Sequence, residues 1–218
     1  GKTIARVFPR KTKATPDDDL AFVGIPTKKH LETAQCADEI HVSVTFTYDI
    51  AKAEEIASKW LKAGFSVKMG GPAFGDRNGD FTPGLYMKKG YTFTSRGCPN
   101  HCWFCSVYES CHGQIRELEI KDGWNICDDN ILATSPDHFK AVIEMLKRQP
   151  EKPIFTGGIE AKILKQWQAD LLKEAGTRRL YCAYDTPDDY EPLVEAGKML
   201  RQAGFTVASH TMMCYVLI

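Results

Sequence analysis

The chain has 218 residues, 43% of them hydrophobic, which suffices for one large or two small globular domains with a true core. Its 28 basic and 28 acidic residues give a formal net charge of zero, so no global basic field exists to hold nucleic acid, and none is expected as a partner. No run of about 18 apolar residues occurs, so no membrane span is expected, and the start GKTIARVFPRKTK lacks the apolar stretch of a signal peptide.

In chain order, IARVF and LAFVG are weak strand candidates. The basic residues Arg6, Arg10, Lys11 and Lys13 read as a solvated face rather than an RNA contact, since a few charges give only a weak, salt-dependent grip. EIHVSVTF alternates Ile40, Val42, Val44 and Phe46, the period of a strand. Asp49 then caps a helix with apolar positions Ala53, Ile56, Ala57, Trp60 and Leu61, Gly64 ends it, and FSVKM follows as a strand. Residues 1–75 thus predict a small α/β, Rossmann-like layer. GGPAFGDRNGDFTPG holds five glycines and two prolines, so 76–89 is expected to be a linker.

From Gly90 the pattern alternates strand and helix. GYTFTS is a strand; Ser135-Pro136 opens a helix with Phe139, Val142, Ile143 and Leu146 on one face; KPIFTGG is the next strand. A helix carries Ile163, Leu164, Trp167 and Leu171 and stops at Gly176, and RLYCAYD is a third strand. A helix through Leu193, Ala196 and Leu200 ends at Gly204, and FTVASHTMMCYVLI contains a fourth strand. Such alternation predicts a parallel sheet or partial (βα) barrel over 90–218, with active residues at the carboxyl ends of its strands.

RGCPNHCWFCSVYESC, residues 96–111, contains four of the eight cysteines, spaced Cys98-x3-Cys102-x2-Cys105 with Cys111 further on. Thiols without a secretion signal point to a reducing, cytoplasmic setting, where clustered cysteines bind metal more often than they form disulfides. Two chemistries fit. A structural zinc site needs four closed ligands, and Cys111, His101 or His112 could complete it, giving a non-catalytic module that supports a partner-binding surface. Three thiolates on a [4Fe–4S] cluster instead leave one iron open, which suits chemistry rather than scaffolding. The isolated Cys36, Cys127, Cys182 and Cys214 are expected to serve packing.

CPNHCWFC, with Phe104 in the aromatic place before the last cysteine, resembles the signature of the radical S-adenosylmethionine (SAM) superfamily. The resemblance implies a [4Fe–4S] cluster on Cys98, Cys102 and Cys105, and SAM as second cofactor on the fourth iron. It also implies a reducing electron donor, and cleavage of SAM to a 5′-deoxyadenosyl radical that abstracts hydrogen from an unknown substrate. Backbone near Phe104 would touch the adenine. One strand later, FTGGIEA is similar to the family's Gly-Gly-Glu motif, which implies that Gly157, Gly158 and Glu160 hold the methionine amino group, although Ile159 interrupts the motif. Asp185 is a candidate SAM or substrate contact, or a cap of the next helix; Asp-Asp-Asn at 128–130 could contact a ligand but reads first as a turn.

The N-terminal piece is similar to a reduced cobalamin-binding domain. That keeps cobalamin as a candidate cofactor, although no histidine stands in the D-x-H-x-x-G ligand motif. TSRGCPNHCWFC is also similar to methylthiotransferases, but those hold a second cluster on three N-terminal cysteines, and only Cys36 precedes the motif here. The family's core is a barrel of six βα units. With about four strands found, the barrel is expected to be truncated, its last apolar strand covered by a partner chain or by a further C-terminal segment.

Overall fold

The structure, a computed structural model, describes residues 1–75, 81–206 and 212–216, the last four by their backbone alone. It is mixed α/β, and the chain divides between Lys89 and Gly90 into two compact units.

The first unit runs β1 (Ile4–Phe8), β2 (Ala21–Val23), α1 (Lys28–Thr33), β3 (Glu39–Ser43), α2 (Ile50–Lys62) and β4 (Val67–Gly70). Its four strands are parallel in the order β2-β1-β3-β4. Alternation puts Ala5, Val7, Ile40 and Val42 on one face, where they pack with Ile56 and Trp60 of α2. Each such large side chain, fully buried, contributes about 1.5–3 kcal/mol.

The opposite face carries Arg6, Glu39 and His41. Glu39 is paired with Lys2, Lys68 and His41, while the buried Arg6 pairs with Asp18 and donates from Nε to the carbonyl of Leu85 (2.9 Å). Arg10 grips Asp49 through two bonds of 2.6 and 2.7 Å. Two of the four basic residues read as a solvated face are therefore committed to internal partners. Asp49 likewise makes no side-chain cap to α2, because Arg10 takes both its oxygens. Residues 76–80 of the expected linker lie outside the described residues. Its remainder packs on this unit through Leu85, Tyr86 against His41, and the Lys88 amide on the Ala14 carbonyl (2.7 Å).

The second unit runs β5 (Tyr91–Thr92), β6 (Ser95–Arg96), α3 (Val107–Cys111), β7 (Arg116–Glu117), β8 (Asn125–Ile126), α4 (Pro136–Lys147), β9 (Ile154–Ile159), α5 (Gln166–Glu174), β10 (Arg179–Tyr184), α6 (Tyr190–Gln202) and β11 (Met212–Val216). Five strands form a parallel sheet in the one-way order β5-β8-β9-β10-β11. The expected four strands are thus five; the addition is β8, whose two residues are too short to show a period.

Ser135 caps α4, its hydroxyl accepting from the His138 amide (3.2 Å). Phe139, Val142, Ile143 and Leu146 then lie buried with Ile126, Phe155 and Leu180 of the sheet. The next helix begins at Gln166 rather than at Ile163, because Ala161–Ile163 form a 3-10 turn and Ile163 is exposed. Ala169 and Leu172 of α5 and Ala196 and Leu200 of α6 complete the core. Cys182 is buried there, whereas Cys36 is exposed and so does not serve packing. The Cys214 side chain lies outside the described residues. Asn125, Cys127, Thr156, Arg179 and Tyr181 alternate with these core positions and share the sheet's other face.

Candidate metal and cofactor site

The cysteines sit on the loop that leaves β6 and returns through β7. These two strands pair antiparallel, Ser95 opposite Glu117 and Arg96 opposite Arg116, and so clamp both ends of the loop. Gly97, the first loop residue, has φ +98°, and a Cβ there would lie 2.0 Å from the Gln114 carbonyl oxygen. Only glycine permits this approach of the outgoing and returning chain.

Within the loop the Cys105 amide donates to the Cys102 carbonyl (3.0 Å), making the tight turn between the last two motif cysteines. Cys111, at the end of α3, is engaged differently. Its sulfur accepts from the Cys98 amide (3.4 Å) and its thiol faces the Cys98 carbonyl (3.5 Å). It packs beneath the loop as a backbone brace.

Asp128, Asp129 and Asn130, read from sequence as a turn, hold this loop from the end of β8. Asp128 is fully buried and accepts from the Thr94 amide (2.6 Å), the Thr94 hydroxyl (2.6 Å) and the Ser95 hydroxyl (2.7 Å). Burial pushes its carboxyl up, against the pull of the Thr94 and Ser95 donors. Asp129 accepts from the Gly97 amide (2.8 Å), and Asn130 Nδ2 lies 3.5 Å from Cys98 Sγ. Arg96 stacks on Phe93, 3.4 Å from the ring centroid. Burial lowers its basicity, and Asp129 and Asp128 pull it back up.

The Gly-Gly turn is a bulge in β9. Phe155 faces Leu180 and Ile159 faces Cys182, so β9 accommodates two extra residues at Thr156–Gly158. A Cβ on Gly157 would lie 2.1 Å from the Asp128 carbonyl oxygen, and Gly158 has φ +94°. Ile159, the residue that interrupts the motif, turns into the core, and Glu160 emerges beyond it to bond Asn100 of the cysteine loop.

Asp185 stands at the end of β10. Thr186 is the N-cap of the following 3-10 turn (Pro187–Asp189), and the Asp189 carboxylate completes the capping box, accepting from the Asp185 amide (2.9 Å) and the Thr186 amide (2.8 Å), so Asp185 is not the cap. Burial raises the Asp185 carboxyl, and the neighbouring Asp189 adds to the rise while Lys162 opposes it.

Burial raises the Cys102 thiol, and the charges of Cys105, Cys98, Glu160 and Asp185, in that order, add to the rise. The cysteine loop is joined to the end of β9 by the Asn100–Glu160 bond. Among the described residues, no group of three His, Cys, Asp or Glu side chains is yet closed around a common point for a metal ion. The donor set nonetheless fits an iron–sulfur centre: three half-buried thiols lie on an irregular loop, and sulfur is the ligand such centres take. Phe104 and Trp103 are exposed on the same loop, with their rings edge to face at 5.4 Å.

Neither the β6–β7 clamp nor the Asn100–Glu160 bond was foreseen from sequence. A cleft of about 570 Å³ between α4 and α5, lined by Lys140, Lys165, Trp167 and Glu174, lies apart from this chemistry. No helix among the described residues is long and apolar enough to cross a membrane. No protein-family model matches the chain, and no curated protein matches it significantly.

Proposed function

We propose that the chain is a radical SAM enzyme whose second unit is a partial (βα) barrel. Cys98, Cys102 and Cys105 would hold a [4Fe–4S] cluster, and Gly157, Gly158, Glu160 and Asp185 would hold SAM. The observation that carries this reading is the Cys98-x3-Cys102-x2-Cys105 loop, tied through Asn100 to Glu160 just beyond the Gly157–Gly158 bulge. The one-way parallel sheet supports it, because the thiols and both carboxylates come from one end of the strands, where such folds place reacting groups.

A cluster held by Cys98, Cys102 and Cys105 would, once reduced, supply one-electron chemistry for reductive cleavage of SAM to methionine and a radical able to take hydrogen from substrate. The protein's own share is positional. The Gly157–Gly158 turn presents backbone where an ammonium can approach, and Glu160, steadied by Asn100, offers it a carboxylate. The backbone near Phe104 would touch the adenine. Asn125, Cys127, Thr156 and Tyr181 make a polar sheet face that suits a substrate with hydrogen-bonding groups. A reducing protein or small-molecule donor is the required partner.

The test is anaerobic reconstitution with iron and sulfide, followed by reduction in the presence of SAM. The expected result is a brown protein that forms 5′-deoxyadenosine. A colourless protein holding one zinc ion and leaving SAM intact would refute the reading and favour the interaction module.

A further inference from the structure

Asn130 is only 3% exposed, yet just one end of its amide is used. Nδ2 lies 3.5 Å from Cys98 Sγ, while Oδ1 is buried with no hydrogen-bond partner among the described residues. A buried amide that leaves an acceptor unpaired is a poor choice for stability, since an apolar side chain of the same shape avoids the desolvation cost. What the placement does provide is an N–H aimed at the sulfur of one motif cysteine.

The aim is fixed from outside the loop. Asp128 is tied to Thr94 and Ser95, Asp129 to the Gly97 amide, and Ile131 and Leu132 are buried in the core. Asn130 therefore reports the position of the β8 end to Cys98 and does not drift with the exposed part of the loop.

We propose that Asn130 sets the reduction potential of the cluster that the loop would hold, by donating its N–H to the Cys98 sulfur. This rests on the cluster reading above. Reduction adds electron density to the sulfurs, so an N–H···S bond stabilises the reduced state more than the oxidised one and raises the potential. Hydrogen bonds to sulfur and local charge are the protein's main levers on such centres. Asn130 acts through Cys98 and is a positioning residue, not a catalytic one.

The experiment compares the parent chain with Asn130→Leu and Asn130→Asp after anaerobic reconstitution, by iron content and by redox titration followed with electron paramagnetic resonance. Leu removes the donor at similar volume; Asp removes it and adds a negative charge. The expected result is equal iron in all three, with the potential falling from parent to Leu to Asp. Equal iron with an unmoved potential overturns the proposal and leaves the cluster reading standing. Loss of iron from both variants, with unchanged circular dichroism, also overturns it, because Asn130 would then hold the loop rather than tune the sulfur. A parent that binds no iron would sink the cluster reading, and this inference with it.

Discussion

In the first unit the sheet face opposite α2 is closed by charge: Glu39 is held by Lys2, Lys68 and His41, and Arg6 by Asp18 and the Leu85 carbonyl. In the second unit the face opposite the core carries Asn125, Cys127, Thr156, Arg179 and Tyr181; Arg179 bonds Tyr181 through Nη1, and its buried Nε has no partner among the described residues. Parallel sheets are normally covered on both faces. The first unit meets that need with a network of ion pairs, while in the second Asn125, Cys127 and Thr156 bond one another. The contrast is between a face closed by charge and one held by neutral hydrogen bonds.

The largest effect should come from the thiols. Cys98→Ala, Cys102→Ala or Cys105→Ala removes one of the three proposed ligands, and iron bound after reconstitution should drop to background. A full iron load in Cys102→Ala would show that the cysteine loop is not a cluster site. Next comes Gly97→Ala, which forces a Cβ to within 2.0 Å of the Gln114 carbonyl oxygen at a positive φ. Overpacking together with left-handed strain should cost about 3 kcal/mol. Hydrogen exchange should show that loss in residues 90–206 and leave the first unit's protection intact.

Glu160→Ala should weaken SAM binding by about 1.5–3 kcal/mol, the scale of a charge-assisted hydrogen bond, with iron content unchanged. Calorimetry showing unaltered affinity would mean that the β9 bulge serves only the fold. Acid should strike the other unit. Lys2, His41 and Lys68 hold Glu39 well below its ordinary value of 4.5, at about 2. Its contribution is therefore full above pH 4.5 and is lost as the pH falls through about 2. Glu39→Gln should remove this part of the acid sensitivity from the first unit alone; an identical acid profile would show that the charged face is incidental. The smallest effect is expected from Cys111→Ala, whose sulfur bonds the Cys98 backbone. Iron binding should persist, and its loss would point to a closed four-cysteine site.

What sequence revealed was local. The apolar spacing of α2 and α4 and the Ser135 cap depend on residues within a few positions, and each was readable. What it concealed was long-range. Asp49 was read as a cap because it precedes a helix, but Arg10, 39 positions away, claims it. Asp185 was read as a potential cap for the same reason, but Thr186 is the N-cap of the turn that follows and Asp189 bonds back to the Asp185 amide. Asp128, Asp129 and Asn130 have the composition of a turn, yet their partners lie 32 to 34 residues upstream. In the site, the cysteine spacing and the paired glycines were visible as motifs. The Asn100–Glu160 bond that joins them could not be, because it spans 60 positions and needs the bulge to bring it about.

The bulge in β9 also sets a rule of parity. A strand assigns its side chains to alternate faces, so an even insertion leaves the downstream residues in phase and an odd one inverts them. Two extra residues at Thr156–Gly158 let Ile159 rejoin the core opposite Cys182 while Glu160 stays outside it. Length here therefore matters as a reading frame does. Drift by two residues would preserve the assignment of faces, whereas drift by one would bury the carboxylate and expose the isoleucine. A lineage of such chains would vary this turn in steps of two.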